Sequence, residues 1–430
     1  MRTMKCTAAG DAMIFHRLPG SYEGFEALRQ FLMRGDFRFV NLETTVHRFE
    51  SYGAAESGGS WFCSDPVVLE SIRAFGFNML TTANNHAMDY SYGGLLKTLD
   101  YIREAGLQTC GTGRTLADAA APVYLDTLCG RFALIGACST FHPDAMAGEQ
   151  TASLPGRPGL NGVRHQTVYR LPKEKMALLD EVADALGVNV QQQIERAEGY
   201  LPPLQPGVHE FGELCFEESE SAGVHTSVHE KDMARIEKSI REARFMADYV
   251  VVSMHSHELR GGSKECPAEF YEEFAHRCID AGAHAVVGTG PHLLRPIEIY
   301  KGCPIFYSLG DFIIQLETVQ KAPAGFYEKQ GLRGDEGLDV MFDARSDHGK
   351  KGLYYKRVMF ETVVPYWEAE DGKLTKLELL PVELHFGAPR STGGWPSPDG
   401  TKGILERLAA MSEPYGTKIS IENGVGTVLL

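Results

Sequence analysis

Six side chains with oxygen or nitrogen donors stand at intervals along the chain: Asp11, Glu43, Asn85, His255, His257 and His292. Carboxylate and amide oxygens suit hard divalent cations, and imidazole nitrogens extend the choice to Mn, Fe or Zn. Two such ions held ~3.5–4 Å apart can share one carboxylate and activate a water for in-line attack on phosphorus. Glu43 is the candidate for the shared carboxylate. His86 is the candidate acid, or a positive partner for the oxygens of the transition state, and Asp89 follows it by three residues. Asn84, Arg260 and Asp311 are candidate substrate-binding groups. The glycines after Arg260 could shape an anion loop beside His257, with Arg260 or Lys264 as charge partner. Taken alone each feature is ordinary. Gly10-Asp11 reads as a turn, Asn84-Asn85-His86 as a helix cap, and His292 as a structural histidine.

The elements that must position these groups are short apolar runs at 5–9, 37–42, 79–83, 132–137, 249–254, 285–287 and 305–308. Helical patterns lie between several of them, at 24–34, 66–75, 93–105, 227–247 and 267–281. Strands alternating with helices predict α/β layers. Each candidate group sits just after an apolar run, and ligands of α/β folds bind at the carboxyl ends of strands. His255 and His257 are two apart, so in extended chain they share a face. Residues 142–227 break the rhythm with a Gly/Pro stretch, a helix at 173–185, a further helical stretch to 199 and an acidic run. They read as a partly helical insertion. Residues 325–351 read as a long loop, 352–364 and 374–382 as late strands, and 402–411 as a terminal helix. The predicted organisation is a domain over 1–320 carrying the insertion. A region over 321–430, comprising the loop, late strands and C-terminal extension, packs on the same domain.

Composition narrows the partners. The chain has 430 residues, long enough to bury roughly three quarters of its unfolded surface without a staple. Lys and Arg number 42 against 57 Asp and Glu, a net charge of −15. Such a surface repels phosphate backbones, so nucleic acid is not expected as a partner. Nine cysteines are scattered singly, which reads as reduced thiols in the cytoplasm. No run approaches ~18 apolar residues, so no membrane span is expected.

The motifs around these residues resemble a known family. Gly10-Asp11-Ala12-Met13, Asn41-Leu42-Glu43, Asn84-Asn85-His86-Ala87-Met88-Asp89-Tyr90, Gly159-Leu160-Asn161, Met254-His255 and the block from Gly288 to Phe312 are similar to CapA-type proteins of poly-gamma-glutamate capsule synthesis. These form a branch of the calcineurin-like metallophosphoesterase superfamily. The resemblance spans about residues 5–315 and implies a four-layer α/β/β/α sandwich of metallophosphoesterase type. It implies two divalent metals, one on Asp11 and His292, the other on Asn85 and His255, with Glu43 on both. It also implies His86 as the catalytic imidazole, oriented by Asp89. Three positions depart from the pattern. Met13 stands where superfamily enzymes usually carry histidine, Gly290 or Thr289 where another histidine would stand, and Asp311 where the family has asparagine. Each metal site is then one ligand short, unless His257 or Asp311 replaces it. Otherwise water fills the gap or one metal binds weakly.

Two functions follow as expectations. The first is a metal-dependent hydrolase of a phosphoester or related small or polymeric anionic substrate. The second is a non-catalytic accessory protein for poly-gamma-glutamate or capsule polymer synthesis, binding anions in the same cleft.

Overall fold

A computed structural model describes residues 3–430. The fold is mixed α/β with several sheets. The largest has ten strands. Its centre is Met4–Met13, flanked by Phe37–Leu42 and then by Met79–Thr81 and Gln108–Cys110, all parallel. On the other flank Glu361–Glu370 and Lys373–Glu383 add antiparallel strands, followed by Val425–Leu429 and Lys418–Glu422. Asp311–Ile314 also pairs with Met4–Met13 in parallel, bringing Asp311 opposite Asp11. A second sheet of six strands has Gly130–Cys138, Tyr249–His255, Ala285–Thr289 and Cys303–Phe306 running parallel, with antiparallel edges Val123–Thr127 and Ile297–Tyr300.

Strand alternation explains how the sheets stack. Phe37 and Phe39 point one way and join Phe132, Leu134, Tyr249, Val251 and Trp367 in a core between the two sheets. The Phe37 and Phe132 rings stack at 5.1 Å. Val40 and Leu42 point the other way, onto the helices Phe25–Leu32 and Val68–Phe75. In the second sheet Val251 faces the shared core, while Val250 and Val252 meet the helices Glu230–Met246 and Glu269–Asp280. Central strands buried on both faces show as continuous apolar runs rather than alternating ones. Parallel strands end on the same side, so Asp11, Glu43 and His255 arrive at one edge.

Three stretches differ from the sequence expectation. Residues 325–351 contain the helix Leu338–Ser346 and all but the first residue of the one-turn helix Ala324–Glu328; Phe326, Met341 and Phe342 anchor them in the core. The expected strand at 352–364 begins only at Glu361. Before it lie 3-10 turns at Leu353–Tyr355 and Arg357–Phe360, held by Tyr354 packing on Phe360 and bonding the Ile314 carbonyl. The 142–227 segment carries the helices Lys173–Leu186 and Val190–Ala197, and also a four-stranded sheet of its own. No helix of the described residues is long and apolar enough to cross a membrane.

Candidate metal centre

Asp11 lies at the edge of both sheets. Asn41, on the neighbouring strand, donates from Nδ2 to Asp11 Oδ1 at 2.6 Å, and the Gly290 amide donates to Oδ2 at 2.8 Å. The acid is thereby fixed by one strand and by the turn after Ala285–Thr289. His255 closes the gap, with Nδ1 3.4 Å from Asp11 Oδ1 and 3.0 Å from Thr289 Oγ1. Its Nε2 lies 2.8 Å from Asn85 Oδ1, 3.1 Å from His257 Nε2 and 3.7 Å from Glu43 Oε1. On the other flank His292 Nδ1 meets Asp311 Oδ1 at 2.9 Å. His292 holds φ at 60°, a left-handed backbone that costs a non-glycine residue on the order of 1–3 kcal/mol and persists where surrounding structure enforces it.

These groups converge on Glu43. Donor atoms of Asp11, Glu43, His292 and Asp311 lie within 4.8 Å of one another, and so do those of Glu43, His257 and His292. Glu43 is fully buried, and neither of its oxygens finds a hydrogen-bond donor among the described residues. Asp311 Oδ2 is likewise buried without a partner. Burial, and then the carboxylates of Asp11, Asp311 and Asp89, push the Glu43 pKa well above the usual range. Three buried acids with two orphaned carboxylate ends are costly as they stand. A divalent cation supplies the opposite charge and the missing partners, so the donor set fits a metal. His257 fits too: burial, then the neighbouring His255, His292, His86 and Lys264, hold its pKa well below the ordinary value. That direction favours the neutral imidazole, the form that ligates metals. For His292 burial opposes protonation, but Asp311 and Asp11 outweigh it and raise its pKa.

His86 stands beside this group. Its Nδ1 lies 2.6 Å from Asp89 Oδ2, and its Nε2 lies 3.8 Å from Glu43 Oε1. The same Asp89 oxygen accepts the Phe62 amide at 2.7 Å, and the Phe62 ring stacks on the imidazole at 3.8 Å. Burial raises the Asp89 pKa against the pull of His86. The loop before Phe62 lies over the site, with the Gly58 carbonyl 3.3 Å from Asn85 Nδ2.

The three candidate substrate groups have different settings. Asn84 is buried: its Nδ2 donates to the Leu42 carbonyl at 2.8 Å and its Oδ1 caps the His86 amide at 3.1 Å, so it is scaffold. Arg260 is exposed, and its guanidinium is held at two points by Glu272, both at 2.9 Å. Asp311 sits inside the carboxylate group with Asp11, Glu43 and His292 rather than at its rim. Asn41 was named in the sequence only as part of the Asn41-Leu42-Glu43 motif, without a role; Phe62 and Arg295 were not singled out. Asn41 lies two residues before Glu43, at the end of the strand Phe37–Leu42 that leads to it, which was a usable signal; Phe62 and Arg295 gave none.

A family model described as bacterial capsule synthesis protein PGA_cap matches residues 5–316. An uncharacterized protein of Sinorhizobium fredii, y4sH, is 31% identical over 444 aligned positions, covering 98% of this chain and 92% of that one. The PGA biosynthesis protein CapA of Bacillus subtilis is 25% identical over 361 positions, covering 82% of this chain and 74% of its own. A Mycobacterium tuberculosis protein carrying the name "Probable polyglutamine synthesis accessory protein" is 25% identical over 284 positions, 66% of this chain and 57% of that one.

Proposed function

The chain belongs to the bacterial capsule synthesis family PGA_cap, and on that footing we propose that it is a metal-dependent hydrolase of CapA type acting on a phosphoester or related anionic substrate. The observation that carries this reading is the buried, unpartnered Glu43 carboxylate ringed by Asp11, Asp311, His292, His255 and His257, with the Asp89-held His86 beside it. In this reading the layers form the four-layer α/β/β/α sandwich of metallophosphoesterase type. Residues 1–320 are the catalytic domain with its insertion at 142–227, and 321–430 complete it.

Asp11, Asp311 and His292 would hold one divalent ion, Asn85, His255 and His257 the other, and Glu43 both. When bound, such a pair supplies Lewis acidity toward the anionic group and a more acidic water. The chain's own residues do the rest. Asp89 fixes the tautomer and orientation of His86 through Nδ1, and Phe62 holds the ring plane. The His86 Nε2 is then aimed at the cleft, where it gives a proton to the leaving oxygen or stabilises its charge. Asn41 and the Gly290 amide hold Asp11 in place.

Cations near the site support an anionic substrate. Lys264 has its pKa lowered by burial and by the nearby charges of Lys356 and Arg295, and Asp311 is close enough to act against that shift. Arg345 bonds the Ser60 hydroxyl and lies over the Phe326 ring, and burial lowers its pKa without a compensating carboxylate. Ser60 is two residues from Gly58, which touches Asn85. Nine cysteines scattered singly along the chain suit a reducing compartment, and we take the cytoplasm as the place of action.

The test is turnover of bis(p-nitrophenyl) phosphate and p-nitrophenyl phosphate by protein loaded with Mn or Zn. Turnover should vanish with chelator and in His86→Ala; unchanged turnover in that variant sinks the proposal. The relatives named for polyglutamine synthesis accessory roles support a second reading, anion binding in the same cleft without turnover. Tight metal binding with no hydrolysis of either ester, together with saturable binding of an acidic polymer, would favour it.

A further inference from the structure

Arg295 is fully buried, yet its contacts are main-chain carbonyls rather than a carboxylate. Nε donates to the Lys264 carbonyl at 2.8 Å. Nη1 donates to that of Ser256 at 3.3 Å, and Nη2 to those of His257 and Glu258 at 3.3 and 2.8 Å. All four acceptors belong to one loop, 256–264, which leaves the strand Tyr249–His255. One side chain thus pins both ends of that loop. Burying a guanidinium is costly unless each of its donors is satisfied, and here carbonyls do that. Only a planar fork with donors on several sides reaches carbonyls at four positions; an ammonium is a point charge and cannot.

The loop carries His257, and the opposite turn cannot offer a ligand in its place. Gly290 has φ 117°, and a Cβ there would lie 2.8 Å from the Ser256 amide nitrogen. Gly288 and Pro291 carry no donor side chain, and Thr289 Oγ1 lies 3.0 Å from His255 Nδ1. The backbone of Ser256 therefore occupies the space a side chain at 290 would need. The segment that lacks a ligand at 290 also carries Arg295, five residues on. We propose that Arg295 is a positioning residue: it clamps the 256–264 loop so that His257 Nε2 meets His255 and Glu43 as a metal ligand, taking the place of a side chain at position 290. The proposal rests on the metal-centre reading above.

The experiment is a Co(II) titration of metal-free full-length protein, followed by d–d absorption and by metal content after desalting. The wild type should take up two ions. His257→Ala should keep one. Arg295→Lys should keep one and bind the second at least tenfold more weakly, with altered d–d intensity. In the His257→Ala background, Arg295→Lys should cause no further loss, because the two changes act through one ligand. If Arg295→Lys does not fold, Arg295→Gln, which retains amide donors, is read by the same titration. The proposal is overturned if Arg295→Lys binds two ions like the wild type. It is also overturned if both ions weaken equally, as a merely structural role would give, or if His257→Ala loses nothing. A wild type that binds no ion overturns this inference and the metal-centre reading together; a two-ion wild type with a two-ion Arg295→Lys overturns this inference alone.

Discussion

The two nitrogens of His86 have unlike surroundings. Asp89 holds Nδ1 at 2.6 Å, while Nε2 faces Glu43 at 3.8 Å. Asp89 serves three neighbours at once, the imidazole, the Phe62 amide and, at 3.4 Å, the Gly58 amide. Asp89→Asn should therefore lower kcat by about 10²-fold with little change in KM, because general acid–base steps contribute on that order. Steady-state kinetics of metal-loaded protein checks this, and an unchanged kcat would contradict the role given to Asp89. At this scale much was legible in the sequence. Asp11, Glu43, Asn85, His255 and His292 each close an apolar run, and strands ending on one edge bring their side chains together. That the Asn84 amide bonds backbone was not legible, because a polar residue next to a candidate ligand looks like a second contact. Arg295 was illegible, since an arginine among Leu293, Leu294 and Pro296 gives no sign of being buried on carbonyls.

Elements hold the site through a few tight contacts. The loop over the cleft passes so close that a Cβ on Gly58 would lie 2.5 Å from Asn85 Nδ2 and 2.8 Å from His86 Nε2. Neither side chain is free to retreat, because His255 holds Asn85 and Asp89 holds His86. Gly58→Ala should cut kcat at least tenfold while shifting the unfolding midpoint little, measured by kinetics beside thermal unfolding. Elsewhere Asp232, buried on the helix Glu230–Met246, ties the insertion to the second sheet's helices. It accepts the Arg164 amide at 3.0 Å and both guanidinium arms of Arg164 at 2.7 and 3.0 Å, and it also pairs with Arg235 at 2.8 Å. Burial raises its pKa, but these bonds outweigh it and bring the value down to about 2. A folded pKa below the unfolded one stabilises fully above the ordinary carboxylate range, and this is lost as pH falls toward 2. Asp232→Asn should cost about 2–4 kcal/mol at pH 7, and the gap to wild type should narrow at pH 3 in urea unfolding. The insertion's sheet escaped sequence reading for a physical reason. Its strands, such as His165–Leu171 and Leu214–Glu218, are half-exposed and mixed in composition, without the apolar runs of the central strands. The helix Leu338–Ser346 was hidden by flanking glycines and charges, and it is anchored by few apolar residues, Met341 and Phe342 buried and Leu338 packed beside them.

The whole molecule is acidic, with a net charge of −15, so a cation near the cleft without a carboxylate partner stands out against the background. Arg345→Gln removes such a cation and should raise KM for an anionic substrate about tenfold or more, as loss of a charged hydrogen bond does. kcat should change little, and salt should weaken wild-type binding more than that of the variant. Composition reveals this acidity. It could not reveal Arg345, whose setting depends on Ser60, 285 residues away in the chain. The central claim is that the Glu43 group is a metal centre. Its most direct test is the metal content per chain of protein purified without chelator and incubated with Mn or Zn, by elemental mass spectrometry. The account predicts two ions per chain, falling by at least one in Glu43→Gln. Less than one ion in the wild type, or the same content in both proteins, would contradict it.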